Sequence, residues 1–218
     1  MLWMGIDVGT GGTRALLVDA KGKRIAGFTA AHEDIRMEKP FWAEQRPEDW
    51  WDAAQKAIRG VLAEAGVDAA DVKGVGLSGQ MHGLVLLDQA NRVIRPALIW
   101  CDQRSQPQVD RINRKVGEKR ILEWIANPVL TGFTLPKLLW VRENEPANYE
   151  RARKLLLPKD YARFMLTGDF AMDVADASGT ALFDVAHRRW SKEMCESLEI
   201  DTDLLPPSME CIDLAGKI

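Results

Sequence analysis

The chain is poor in the residues that build covalent or metal frameworks. Its 218 residues include three cysteines, Cys101, Cys195 and Cys211, which are scattered and form no CxxC pair. That excludes a disulfide-stapled scaffold and fits reduced thiols in a cytoplasm. The three histidines, His32, His82 and His187, show no metal-ligand spacing. Charge is not concentrated anywhere: the net value is −3 and no basic block occurs, which argues against a nucleic-acid-binding face. No apolar run approaches membrane-span length, and Met1–Val8 reads as a strand rather than a secretion signal. No G-x-x-x-x-G-K-[ST] is present, so there is no Walker A loop. Repeats, low-complexity tracts and linkers are lacking too. What remains, 46% hydrophobic, is enough for the core of one large domain or two small ones.

The strongest positive signal lies at Gly5-Ile6-Asp7-Val8-Gly9-Thr10-Gly11-Gly12-Thr13-Arg14. A carboxylate ends an apolar run, a Gly/Thr-rich turn follows, and a second apolar run begins at Ala15. This reads as strand, tight turn, strand, with a buried aspartate beside a turn that backbone or ligand can approach closely. Glycine N–H groups, threonine hydroxyls and a carboxylate suit a phosphate and its Mg²⁺, held directly or through water. A hairpin with no ligand is the plain alternative. The arrangement resembles the first phosphate loop of the actin-like ATPase superfamily.

Leu2–Val8, Thr13–Asp19 and Arg24–Ala30 predict three consecutive strands, hence an antiparallel start to a sheet. Pro47 opens a helix whose apolar stripe runs from Trp50 to Ala65, with Gly66 as its cap. Strands follow at Lys73–Ser78, Leu84–Asp88 and Ala97–Trp100, giving an α/β layer. The second half predicts helices over Gln106–Val116, Lys119–Ile125, Pro136–Arg142, Lys159–Leu166 and Ser191–Leu198, with a short buried strand at Leu155–Leu157. Beyond Pro206-Pro207 no closing element is evident.

Gly74-x-Gly76-x-x-Gly79 matches the dinucleotide fingerprint in letters only, since it lies within a strand and opens no helix. Gln80-Met81-His82-Gly83 sits at a strand end, where ligands bind α/β sheets. His82 can bond a sugar hydroxyl and Met81 can pack on a carbon backbone; a satisfied core histidine is the alternative. Phe41-Trp42-Ala43-Glu44-Gln45 combines ring, amide and carboxylate, a sugar-reading set, or else a staple for the next helix. Asp102 with Arg104 is either a polar reader or a structural pair.

Together these motifs resemble the FGGY carbohydrate kinases, and within them the xylulokinase subgroup. The series is Asp7–Thr13, then Trp42-x-Glu44-Gln45-x-Pro47-x-x-Trp50-Trp51, then Gly79–Gly83 and Trp100-x-Asp102-x-Arg104. Next comes Gly132-x-Thr134-x-x-Lys137-Leu138-x-Trp140-Val141-x-Glu143-Asn144, which fits the first FGGY signature at every specified position. Leu156–Tyr161, Thr167-Gly168 and Asp173-x-x-Asp176-Ala177-Ser178-Gly179-Thr180 complete it, so the resemblance spans essentially the whole chain.

The resemblance implies an α/β, actin-like ATPase (ribonuclease H-like) domain with a mixed sheet and flanking helices. It implies ATP and Mg²⁺, and transfer of a phosphoryl group to a ketopentose, D-xylulose before others. Asp7 would orient Mg²⁺–ATP, holding the metal through water. Thr10, Gly11, Thr13 and Arg14 would meet the phosphates. Met81 and His82, with Gln80, Trp42 and Asp102, would meet the sugar. The family's catalytic base is an aspartate in a later Gly-Asp motif, and no Gly-Gly-Asp or Gly-Asp-Asn occurs here. Residues 1–218 are therefore expected to be the N-terminal, sugar-binding domain, inactive without a C-terminal nucleotide-binding partner. A homodimer is left open. A kinase for ribulose, fructose or glycerol, or a non-catalytic sugar sensor, are the competing readings.

Overall fold

The computed structural model describes residues 1–218. It opens on three strands: β1 (Leu2–Val8), β2 (Gly12–Asp19) and β3 (Arg24–Ala31). Side chains alternate across a strand. In β1, Met4, Ile6 and Val8 are buried, whereas Trp3, Gly5 and Asp7 face outward. A two-residue strand β4 (Glu44–Gln45) leads to helix α1 (Pro47–Ala65).

Local chemistry sets both ends of α1. Pro47 stands where a missing N–H costs nothing, Glu48 and Asp49 occupy the first turn, and Gly66 closes the helix at φ 63°. The buried stripe Trp50, Ala53, Ala54, Ala57 and Val61 packs on β2 and β3. Strand β5 (Val72–Gly79) then pairs parallel to β1, giving the order β3-β2-β1-β5. The sheet is mixed, as expected, because the two hairpins are antiparallel and β5 returns after a helix. Gly74 lies in the middle of β5, where the Trp3 ring sits 2.5 Å from the position a Cβ would take. Packing, not a dinucleotide, accounts for it.

The chain continues through β6 (Val85–Leu87), β7 (Ala97–Leu98), α2 (Gln106–Val116), α3 (Glu118–Ile125) and α4 (Thr134–Asn144). Helix α5 (Pro146–Arg151), strand β8 (Lys154–Leu156) and helix α6 (Pro158–Thr167) follow. β6 and β8 pair antiparallel between two hydrophobic clusters. Val85, Leu87 and Leu156 join a cluster of 20 buried residues with the sheet and α1. Leu84, Leu86, Leu155 and Leu157 join another of 28 with α2, α3 and α4. Both faces of this ladder are buried, which is why these segments read as unbroken apolar runs.

The last part holds β9 (Met172–Asp173), α7 (Val174–Ala177), β10 (Phe183–Asp184), β11 (Arg189–Trp190), α8 (Lys192–Leu198) and β12 (Ser208–Met209). The expectation of no closing element after Pro206-Pro207 is corrected here. β12 pairs parallel with β9, and the Trp190 indole donates to the Pro206 carbonyl at 2.7 Å. Lys159 on α6 pairs with Asp173 and, at 2.8 Å, with Asp176. Beside them Asp160 is fully buried, and burial pushes its carboxyl up to about 7. No helix is long and apolar enough to cross a membrane, and all three cysteines are free.

Candidate active site

Parallel strands β1 and β5 end side by side, at Val8 and Gly79. Ligands of open α/β sheets bind beyond such ends. The loop Gly9–Gly11 leaves β1 there, and Gln80-Met81-His82 leaves β5.

The loop is held from behind. Gln80 Nε2 donates to the Gly9 carbonyl at 3.1 Å, Gln45 Nε2 to that of Thr10 at 2.8 Å, and the His32 amide to that of Gly11 at 3.1 Å. Gln45 Oε1 also accepts from Gln80 Nε2 and from the Trp50 indole. With the carbonyls drawn back, no backbone carbonyl takes the amides of Thr10 or Gly11. A Cβ on Gly11 would meet nothing within 4 Å, so this side of the loop is open. Two free amide donors on an exposed turn form a small anion nest.

The cross-strand register lines up four polar residues at this end of the sheet: Thr29, Arg14, Asp7 and Ser78. Asp7 is exposed, not buried as expected; residues of even number in β1 take the core face and leave Asp7 on the other. Its Oδ1 accepts from Ser78 Oγ at 2.8 Å. The structure turns Thr13 inward. It is fully buried and its hydroxyl meets His32 Nε2 at 2.8 Å, so it offers nothing to a phosphate. Arg14 is its outward-facing neighbour. Thr10 Oγ1 accepts from the Trp100 indole at 3.0 Å.

On the other side, Met81 is 45% exposed and His82 half-buried. Burial, helped by the Lys137 charge, lowers the His82 pKa, which favours the neutral ring. The ring lies 4.8 Å from that of Phe133, and its backbone is left-handed, φ 64°. Gly179 abuts its Cε1–Nδ1 edge: a Cβ there would fall 2.1 Å from Cε1. The ring has little room to yield. Gly179→Ala is therefore expected to cost about 1–3 kcal/mol of stability and to displace His82. Thermal unfolding and the His82 ring NMR signals check this; both unchanged would show a ring free to move.

Three expected sugar contacts belong to the scaffold instead. Asp102 is fully buried, taking the Ala43 amide at 2.7 Å and Arg104 Nε at 2.8 Å. Trp42 lies against the Arg104 guanidinium, 3.8 Å from its centre, and edge-on to Trp140. Gln80 is 7% exposed and its Nε2 is taken up by the loop and Gln45, while its Oε1 is buried with no hydrogen-bond partner. Two further residues join the site: Trp100, 44% exposed beside Thr10, and Ser78, bonded to Asp7. Alternation along β5 would have put Ser78 on the Asp7 face; nothing local marks Trp100 as exposed. A cavity of about 570 Å³ lies elsewhere, between β5 and the segment Asp213–Ile218.

The model of the FGGY family of carbohydrate kinases, N-terminal domain, matches residues 2–218. The chain belongs to the FGGY family. It is 40% identical over 215 residues to a xylulose kinase of Bacillus subtilis, covering 99% of this chain and 43% of that protein. To a xylulose kinase of Escherichia coli it is 38% identical, covering 100% of this chain and 44% of that protein. A crystal structure described as a "xyloylose kinase" from Brucella ovis superposes with TM-score 0.94 at 36% identity, over 99% of this chain and 44% of that one. The chain thus spans less than half the length of these FGGY relatives, and it has the actin-like ATPase fold of the sugar kinases it resembles.

Proposed function

We propose that this chain is the N-terminal, sugar-binding part of an ATP-dependent ketopentose kinase that converts D-xylulose to D-xylulose 5-phosphate. The observation that carries the reading is the juxtaposition at one sheet end of an open amide nest with Asp7 and of Met81 with a neutral His82. The relatives named above, all xylulose kinases, support the choice of sugar.

Asp7 would hold Mg²⁺ through water, and the metal supplies neutralisation of the charge that develops on the phosphoryl group. The amides of Thr10 and Gly11, with Arg14 free of ion pairs, receive the phosphate oxygens. His82 exchanges a hydrogen bond with a sugar hydroxyl, Met81 covers carbon, and Trp100 walls the site beside Thr10. Asp176, the carboxylate whose charge reaches His82, is already engaged with Lys159. Following the resemblance to the FGGY kinases, we place the general base in the other domain of the protein, which closes over this open surface and completes the phosphate site.

The test is sugar-dependent ADP release by the full-length protein with D-xylulose, D-ribulose, L-ribulose, D-fructose and glycerol. D-Xylulose is expected to give the highest kcat/KM, and residues 1–218 alone no turnover. Preference for another of these keeps the kinase and changes its substrate. No sugar-dependent release with any of them would favour a non-catalytic sugar sensor.

A further inference from the structure

Lys137 stands in the apolar run Leu135-Pro136-Lys137-Leu138-Leu139 of α4 and exposes none of its surface. A buried ammonium is costly unless its donors are satisfied. No carboxylate is bonded to it. Its Nζ lies among four backbone carbonyls: those of Thr131 at 3.2 Å, Gly132, Phe133 at 3.1 Å and, across the fold, His82 at 3.4 Å. Thr134 Oγ1 donates to the same His82 carbonyl at 3.2 Å.

The His82 backbone needs such holding. A left-handed φ of 64° is unfavourable for a residue with a Cβ and persists where surrounding contacts impose it. Strain of this kind gathers at functional sites. Lys137 binds the carbonyls of both His82 and Phe133, the residue whose ring packs on the His82 imidazole. One ammonium therefore ties the histidine's main chain to the segment that carries its stacking partner. Burial lowers the Lys137 pKa to about 7, and whether protonated or neutral its rotating amino group keeps donor hydrogens for these carbonyls.

We propose that Lys137 is a positioning residue for the sugar: through the His82 and Thr131–Phe133 carbonyls it fixes the Met81-His82 turn in the one conformation that meets the substrate. This rests on the sugar-kinase reading above. It assigns to the lysine of the family signature a task at the sugar site that its burial conceals.

The experiment is steady-state kinetics of the full-length protein bearing Lys137→Met, Thr134→Val, His82→Ala and the double change His82→Ala/Lys137→Met. Lys137→Met is expected to raise the sugar KM about tenfold or more, leaving the KM for ATP within about twofold. Thr134→Val moves the sugar KM the same way by less. In the His82→Ala background, Lys137→Met adds less than about threefold, because its effect passes through His82. A full-sized Lys137→Met effect in that background overturns the proposal, as does a lowered melting temperature with the sugar KM unchanged. Should Lys137→Met fail to fold, Thr134→Val decides, and an unchanged sugar KM there overturns it. Absence of sugar-dependent ADP release by the unmodified protein overturns the proposal and the kinase reading together. Release that responds to His82→Ala but not to Lys137→Met or Thr134→Val overturns the proposal alone.

Discussion

Asp7→Asn in the full-length protein is expected to lower sugar-dependent ADP release about a hundredfold or more while leaving the melting temperature in place. Each 1.36 kcal/mol of lost transition-state stabilisation is about tenfold in rate, and a metal at a transferring phosphoryl group supplies several kcal/mol. Asparagine keeps an oxygen for the Ser78 hydroxyl at the same position, now 2.8 Å away, so the fold loses nothing large. Exposed positions of this kind usually shift stability by no more than about 0.5 kcal/mol. The charge alone is removed, and Mg²⁺ demands charged oxygen ligands or waters held by them. The apparent Mg²⁺ requirement should therefore rise as well. Ser78→Ala, which only frees the carboxylate to rotate, should cost far less. Retention of most of the activity by Asp7→Asn would remove Asp7 from the phosphate site.

Local signals explain what was legible beforehand. The three opening strands alternate faces, and α1 carries its own start and stop in Pro47 and Gly66. α2 runs Gln106–Val116, as its apolar spacing predicts. β7 begins the predicted strand Ala97–Trp100, but its partner β4 and the two-residue ladders β9–β12 and β10–β11 were not legible, because each is defined by a partner distant in sequence or by a turn with no apolar run. The same divide runs through the site. Asp7, Thr10, Gly11, Met81 and His82 were placed together from their motifs, yet sorting inward from outward residues needed the register. Thr13 shares the face of Ala15 and Leu17, so Arg14, one residue on, takes the side of Asp7. Gln45 and Gln80 carry the chemistry of sugar-reading amides, but the fold uses them to draw back the carbonyls of the phosphate loop. Polar type indicated a functional region, and only packing distinguished residues that meet a ligand from residues that hold those residues.

Asp102 makes that distinction measurable. Asp102→Ala is expected to destabilise the protein by about 3–5 kcal/mol, the usual cost of removing one partner from a buried ion pair. The aspartate accepts from the Ala43 amide and from Arg104 through both its main chain and Nε. Arg104 passes the network to Glu44 at 2.8 Å; Arg95 joins Glu44 at 2.6 Å and Glu145 at 2.8 Å. Without Asp102, Arg104 keeps one carboxylate and its contacts with the rings of Trp42 and Trp140, and the Ala43 amide loses its partner. The stack that holds Trp42 would loosen with it. Thermal unfolding should begin several degrees lower. The sugar KM of the protein that remains folded should change little, because Asp102 is sealed from the surface on which Met81 and Trp100 are open. The opposite outcome, a large rise in sugar KM with unfolding unchanged, would return Asp102 to the sugar site and make the buried network an effect of binding rather than of folding.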